Sequence, residues 1–324
     1  MGALGSSLVP ILLWVLGGIL LLGILFWLVS CFVASYLIYT RTLRRAGKDT
    51  WSRELPKDMD PEQRPMYEAG VAWSEENADK KQDVHIVRDG LHLYGEYYDF
   101  GGERCAVILS GRTESLRYGY YFAIPYAREG CNILVLDQRG HGMSDGEYNT
   151  VGFEESRDLI AWLGYMGERF GIRSFVLHGI CIGAATGLFA LHSPDCPAVV
   201  EGIVAEGMHA RFLESVRNHI KERKKPVFLT LGLVDLWMRH YTGHSMRRGP
   251  MDVIGEVKVP LLMLHSREDR YSTPAFAEKL YNASGAEEKK LVWFREGRHS
   301  MLRIKDTALY DASIAEFLNK ISKK

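Results

Sequence analysis

Apolar and polar positions divide the chain into three stretches with different periods. Residues 8–39 carry no charged side chain, and the first charged one is Arg41. Crossing a bilayer takes roughly 20 apolar residues, so this run suffices for one transmembrane helix and not for two. A secretory signal peptide needs a basic start and a shorter apolar core, and neither is present. Residues 1–40 are therefore expected to be a retained single-span anchor. Residues 41–82 are charged and punctuated by Pro56, Pro61 and Pro65, with a short helix expected around 62–77. They read as a juxtamembrane connector whose basic start favours anionic lipid headgroups.

From Asp83 the pattern changes to short apolar runs separated by turns. Residues 84–98 form two alternating runs joined at Asp89-Gly90, a strong hairpin signal. Strand-like runs follow at 105–109, 132–136, from 174 up to the glycine-flanked turn around Cys181, 199–205, 260–264 and 291–294. Helical patterns at 116–129, 154–170, 274–281 and 306–319 alternate with them. Strands alternating with helices after an initial hairpin predict an α/β fold, a mostly parallel sheet covered on both faces, over residues 83–324. The alternation is interrupted at about 209–249. No repeat or low-complexity tract is visible.

Composition narrows the function only a little. Lysine plus arginine equals aspartate plus glutamate at 40 each, which argues neither for nor against nucleic acid. The glycine-rich loop 137–146 contains no GK[ST] and no GxGxxG, so nucleotide binding is disfavoured, and no nucleic-acid partner is expected. The five cysteines, Cys31, Cys105, Cys131, Cys181 and Cys196, form no CxxC pair. Neither a disulfide framework nor a zinc site is indicated, and free thiols fit a reducing compartment. Arg41, Arg44, Arg45 and Lys48 follow the span while nothing basic but the amino terminus precedes it. The positive-inside rule then places the C-terminal domain in the cytoplasm.

Candidate chemistry centres on residues 174–187, a short apolar strand, a tight turn and a helix opening on small residues. Cys181 sits at the apex, flanked by Gly179 and Gly183. A residue at the tip of a strand–turn–helix is pushed outward in strained backbone, and glycines on either side avoid the clash. A thiol there is a nucleophile only with a base to take its proton and donors to hold an oxyanion. The loop after the last strand offers His299. The loop after the preceding strand offers Asp269, with Glu268 beside it. The order nucleophile, acid, histidine is the one expected for such a fold.

These residues, with Asp137-Gln-Arg-Gly-His-Gly-Met-Ser-Asp-Gly146, Gly179-Ile-Cys-Ile-Gly183, His265-Ser-Arg-Glu-Asp269 and Gly297-Arg-His299, carry a resemblance. From about residue 83 to 320 the chain resembles an α/β-hydrolase of the serine-aminopeptidase/monoacylglycerol-lipase-like branch, and its anchor resembles bacterial membrane-tethered members. The resemblance implies a Cys181–His299–Asp269 triad with cysteine in place of the usual serine. It also implies oxyanion donors at the backbone N–H groups of Arg112 and Ile182. The family's His-Gly-x reads Ser110-Gly111-Arg112 here, which leaves a backbone hole intact. Glu206, after the strand that follows the elbow, is the fallback acid. His141 and Arg139 are expected to fix their loop, and His178 to pack or hydrogen-bond at the sheet edge.

The interruption at 209–249 takes the place of a lid. Its basic residues, Arg211, Arg217, Lys221, Arg223, Lys224, Lys225, Arg239, Arg247 and Arg248, outnumber Glu214, Glu222 and Asp235. The apolar stretch 226–238 either covers the pocket or rests on the membrane surface. The expected activity is cleavage of a small or lipid-derived ester, thioester or lactone through a thioacyl-enzyme, without metal or organic cofactor. A catalytically inactive binding protein of this fold, and a peptidase or acyltransferase, are the alternatives.

Overall fold

The computed structural model describes residues 3–55, 59–222, 227 and 229–322. Of the residues singled out above, Pro56, Arg223, Lys224, Lys225 and Pro226, and Phe228 within the apolar stretch, lie outside that set.

Eight strands make one sheet in the order β1-β2-β4-β3-β5-β6-β7-β8. Lys81–Arg88 (β1) and Leu91–Tyr98 (β2) form the antiparallel hairpin, turning at Asp89 (φ 52°) and Gly90 (φ 77°). Two successive positive φ values match the right-handed strand twist, which is why Asp-Gly serves there. β2 then runs antiparallel to Asn132–Leu136 (β4). Arg104–Leu109 (β3), Ser174–Ile180 (β5), Val200–Glu206 (β6), Leu261–Ser266 (β7) and Lys289–Phe294 (β8) continue the sheet in parallel with β4. The central runs are apolar throughout because both faces are covered.

One face packs under Phe153–Phe170 (α4), Ile182–His192 (α5) and Pro274–Ala283 (α8), around Trp162, Leu177, Ile203 and Met263. The other packs under Leu116–Arg128 (α3) and Thr307–Ile321 (α10), around Ile108, Val176, Tyr126 and Ile314. Two further helices, Arg64–Glu76 (α2) and the short Leu302–Lys305 (α9), border that second face. The run expected to begin at Pro260 pairs from Leu261, since proline has no N–H for the ladder. β8 begins at Lys289, two residues before the apolar run, as an edge strand on which Lys290 is exposed and Lys289 donates to the Tyr281 and Ser284 carbonyls at 2.9 Å.

The first helix, Ala3–Leu43 (α1), is about 60 Å long at 1.5 Å per residue. It is long and apolar enough to cross a membrane, and its most apolar window is wholly exposed. Among its residues whose side chains are described, only Cys31, Ser35, Tyr39 and Leu43 are buried, four residues apart on one face. The interruption at 209–249 holds Phe212–Glu222 (α6) and Thr230–Thr242 (α7), and a single 3₁₀ turn follows at Pro250–Asp252. A third apolar cluster joins Tyr39 and Leu43 of α1 to Phe212, Val234 and Met238 of the lid and to Ile182 beside the elbow.

Candidate active site

β5 ends at Ile180 and α5 begins at Ile182, leaving Cys181 alone to turn the chain. Its backbone sits at φ 54°, ψ −107°. Such a conformation costs a non-glycine residue about 1–3 kcal/mol and persists only where the surroundings enforce it. Here the Cys181 N–H donates to the Glu206 carbonyl at 2.9 Å. Helix and strand also close tightly around the turn. A Cβ at Gly179 would lie 2.3 Å from the Ala184 nitrogen, and one at Gly183 2.1 Å from the Leu109 carbonyl oxygen. Neither position admits a side chain.

Cys181 opens into a cavity of about 250 Å³ that also receives Gly111, Arg112, Glu114, Phe212, Tyr271 and His299. His299, on the loop after β8, donates from Nδ1 to Asp269 Oδ2 at 2.7 Å and meets the Cys181 sulfur as a second partner. Gly207 (φ 56°) makes room for it, since a Cβ there would stand 3.2 Å from the His299 ring. The other Asp269 oxygen accepts the N–H groups of Tyr271 (2.8 Å) and Ser272 (2.9 Å). All the carboxylate's burial is thus matched by donors.

The electrostatics follow from this geometry. Burial works against the His299 imidazolium, but the Cys181 sulfur and the Asp269 carboxylate outweigh it and hold its pKa well above the ordinary histidine range. Burial would likewise raise Asp269, yet His299, His265 and the Tyr271 N–H hold that carboxyl below the usual range. His209, packed edge-on against Phe212, is pushed down to about 3 by burial and by the neighbouring His299. It stays neutral, with Nδ1 unpartnered among the described residues.

The two expected oxyanion donors come from different segments, the loop after β3 and the start of α5. Ile182 is the first residue of α5, so its N–H has no intrahelical acceptor. Arg112 lies in the loop between β3 and α3, where its carbonyl oxygen faces His141 Nε2 at 2.7 Å. The other His141 nitrogen faces the Arg139 carbonyl at 2.9 Å, and Trp51 stacks on the ring at 4.7 Å. Arg139 itself is locked on Asp158 by two 2.6 Å bonds.

Glu206 is placed elsewhere. Its Oε2 accepts from Tyr310 at 2.5 Å beneath the elbow, so Asp269 and not Glu206 is the carboxylate His299 meets. His178 belongs to the same buried group, between the hydroxyls of Tyr126 (2.8 Å) and Tyr310 (3.1 Å). It therefore lies on a central strand and not at the sheet edge expected for it, because β5 is flanked by β3 and β6.

Some of the site gave no signal in the sequence. Glu114 accepts the Gly111 N–H at 2.8 Å on the cavity wall, and burial pushes its carboxyl up against that bond's pull. Thr42 at the end of α1 and Gln63 in the connector also line the cavity. Nothing in their local pattern marks them.

A profile of the alpha/beta hydrolase fold matches residues 107–290, more than half of the chain. The chain belongs to the alpha/beta hydrolase fold family. Among characterised and uncharacterised relatives, the uncharacterized protein YqkD of Bacillus subtilis is 27% identical over 221 residues, covering 67% of this chain and 70% of YqkD. The alpha/beta hydrolase domain-containing protein WAV2 of Arabidopsis thaliana is 25% identical over 194 residues, covering 59% of this chain and 61% of WAV2. The Pyrococcus furiosus esterase Pf2001 superposes with a TM-score of 0.63 at 21% identity, over 76% of this chain and 93% of the esterase. Mouse alpha/beta hydrolase domain-containing protein 10 gives 0.55 at 14% identity, over 74% and 99%. At these identities the solved structures speak for the alpha/beta hydrolase fold alone.

Proposed function

We propose that this alpha/beta hydrolase is a membrane-anchored enzyme that cleaves an ester, thioester or lactone, with Cys181 as nucleophile, His299 as acid and base, and Asp269 as its orienter. The observation that carries the reading is the 2.7 Å His299–Asp269 bond beside an outward-turned cysteine on one cavity wall. The esterase named among the structural neighbours fits it. The exposed apolar window of α1 supports the anchor, and the basic residues that follow the span support a cytoplasmic catalytic domain.

In the first half-reaction the Cys181 thiolate attacks the carbonyl carbon and a C–S bond forms. The oxyanion is held by the N–H groups of Arg112 and Ile182. Collapse breaks the bond to the leaving group, which takes the proton from the His299 imidazolium. Neutral His299 then removes a proton from water, whose oxygen attacks the thioacyl carbon. The C–S bond breaks, the carboxylic acid departs, and the thiolate–imidazolium pair is restored. A raised imidazolium pKa suits the first step, since the proton is already on the ring.

The test is release of p-nitrophenol from short and medium acyl esters by the full chain, with Cys181→Ala as control. Turnover that Cys181→Ala abolishes supports the reading. No turnover at any acyl length, with no labelling of Cys181 by iodoacetamide, returns the chain to the inactive binding protein.

A further inference from the structure

The anchor does more than tether. Its last turn is a wall of the catalytic cavity, through Thr42. The Arg112 guanidinium, from the oxyanion loop, donates to the Thr42 carbonyl at 3.0 Å. The same end of α1 carries the lid. Trp237 of α7 donates to Ser35 Oγ at 3.0 Å and packs against the rings of Phe32 (4.9 Å) and Tyr36 (5.1 Å). Tyr39 stacks on Tyr241 at 5.6 Å. Just beyond α1, Arg45 donates to the carbonyls of Ser144 (2.9 Å) and Gly142 (2.6 Å), gripping the loop that holds Arg112.

Helix geometry sets how far this cavity is from a bilayer. Trp14 is 82% exposed, and the Phe32–Tyr36–Trp237 group lies 18–22 residues further on. At 1.5 Å per residue the separation is about 27–33 Å, the thickness of the hydrocarbon core and the spacing of two aromatic belts. Thr42 stands six residues past Tyr36, about 9 Å further along the axis. The headgroup layer is about 5–8 Å deep on each side. Thr42, on the cavity wall, therefore stands at the outer edge of that layer, and the cavity opens at the membrane surface. On the adjacent lid helix Leu236 is 56% exposed.

We infer that the end of α1 and the lid it holds make this cavity a membrane-surface site, whose substrate is a bilayer-resident acyl lipid. The inference rests on the hydrolase reading above and names the substrate class for it. Phe212 and Val216 line the lid side of the cavity for the acyl chain, while Thr42, Gln63 and Arg112 line the side toward the headgroups.

The test uses the full chain in phosphatidylcholine vesicles and two alkylating probes of the same chemistry, iodoacetamide and N-hexadecyl iodoacetamide. Labelling at Cys181 is read by peptide mass spectrometry against Cys196, a partly accessible thiol that lines no part of this cavity. The Cys181/Cys196 ratio is expected to be at least about tenfold higher with the hexadecyl probe, as partitioning concentrates it at the bilayer surface. Trp237→Ala, which frees the lid from α1, is expected to lose most of that gain while keeping its iodoacetamide rate. An equal or lower ratio with the hexadecyl probe overturns the inference. Hydrolysis is measured in parallel on p-nitrophenyl acetate and on a long-chain thioester held in the vesicles. Turnover of the acetate without preference for the vesicle-borne substrate also overturns it and spares the hydrolase reading. Preferential hexadecyl labelling with no turnover of either substrate overturns the hydrolase reading and leaves the membrane-surface site standing.

Discussion

The floor and the roof of the cavity are built by different means. The floor is backbone stereochemistry: Cys181 at φ 54°, two glycines with no room for a Cβ, and a histidine seated over a third. Every part of it is set at the carboxyl ends of the parallel strands β3, β5, β6 and β8. The roof is side-chain packing between distant segments. Trp237 meets Ser35 across 202 residues, and Arg112 meets Thr42 across 70. Under the proposed reaction, a floor of this kind serves chemistry that is the same for every acyl group, and a roof of this kind selects which acyl group arrives.

That contrast orders the expected effects. Cys181→Ala removes the atom proposed to form the acyl bond and should lower kcat by at least about 10⁴-fold in a p-nitrophenyl ester assay. Asp269→Asn should cost about 10³- to 10⁴-fold, because the amide no longer holds His299 in its charged, correctly turned form. Glu206→Gln should cost less than a tenth of that, and the reverse ranking would make Glu206 the working acid. Gly183→Ala places a methyl against the Leu109 carbonyl and should destabilise the fold by about 3 kcal/mol or more, seen as a fall of several degrees in Tm.

The pH dependence carries its own sign. The His299 pKa is raised in the folded state, so its contribution is complete below the unfolded value of about 6.5 and is lost as pH rises through the folded value. Cys181→Ala removes one of the two groups that raise it, and the decline of Tm above pH 6.5 should flatten. Asp269 has the opposite sign: its depressed pKa contributes above about 3.9, and that stability is lost as pH falls through the folded value. The smallest effect should come from the roof. Trp237→Ala should change kcat on p-nitrophenyl acetate by less than about threefold, since it touches no reacting atom. A larger loss would mean that floor and roof are not separable.

The floor was legible in the sequence for the reason it is rigid. Only glycines fit around so tight a turn, so Gly-x-Cys-x-Gly after an apolar strand announces the geometry, and Asp269 and His299 stand where the next strands end. The fold class followed from the alternation of runs. Of the roof, the interruption at 209–249 was readable as a lid, but its packing against the first helix was not. Cys31, Ser35, Tyr39 and Leu43 form a buried face inside a run that is apolar almost everywhere, so no periodicity distinguishes them. Glu114 and Thr42 reach the cavity only through the way the loop and α1 fold together, and neither belongs to a motif. The connector gave the same difficulty: Trp51 stacks on His141 and Arg53 pairs with Asp137 and Glu96, contacts invisible in a stretch read as a linker.

The central claim is that sulfur at position 181 carries the acyl group. Its most direct test is intact-protein and peptide mass spectrometry of the full chain quenched in acid within the first turnovers on a medium-chain thioester. The account predicts a mass increase of one acyl group confined to the Cys181 peptide, discharged by hydroxylamine and absent in Cys181→Ala. Turnover with no adduct at Cys181, or undiminished turnover by Cys181→Ala, would contradict it.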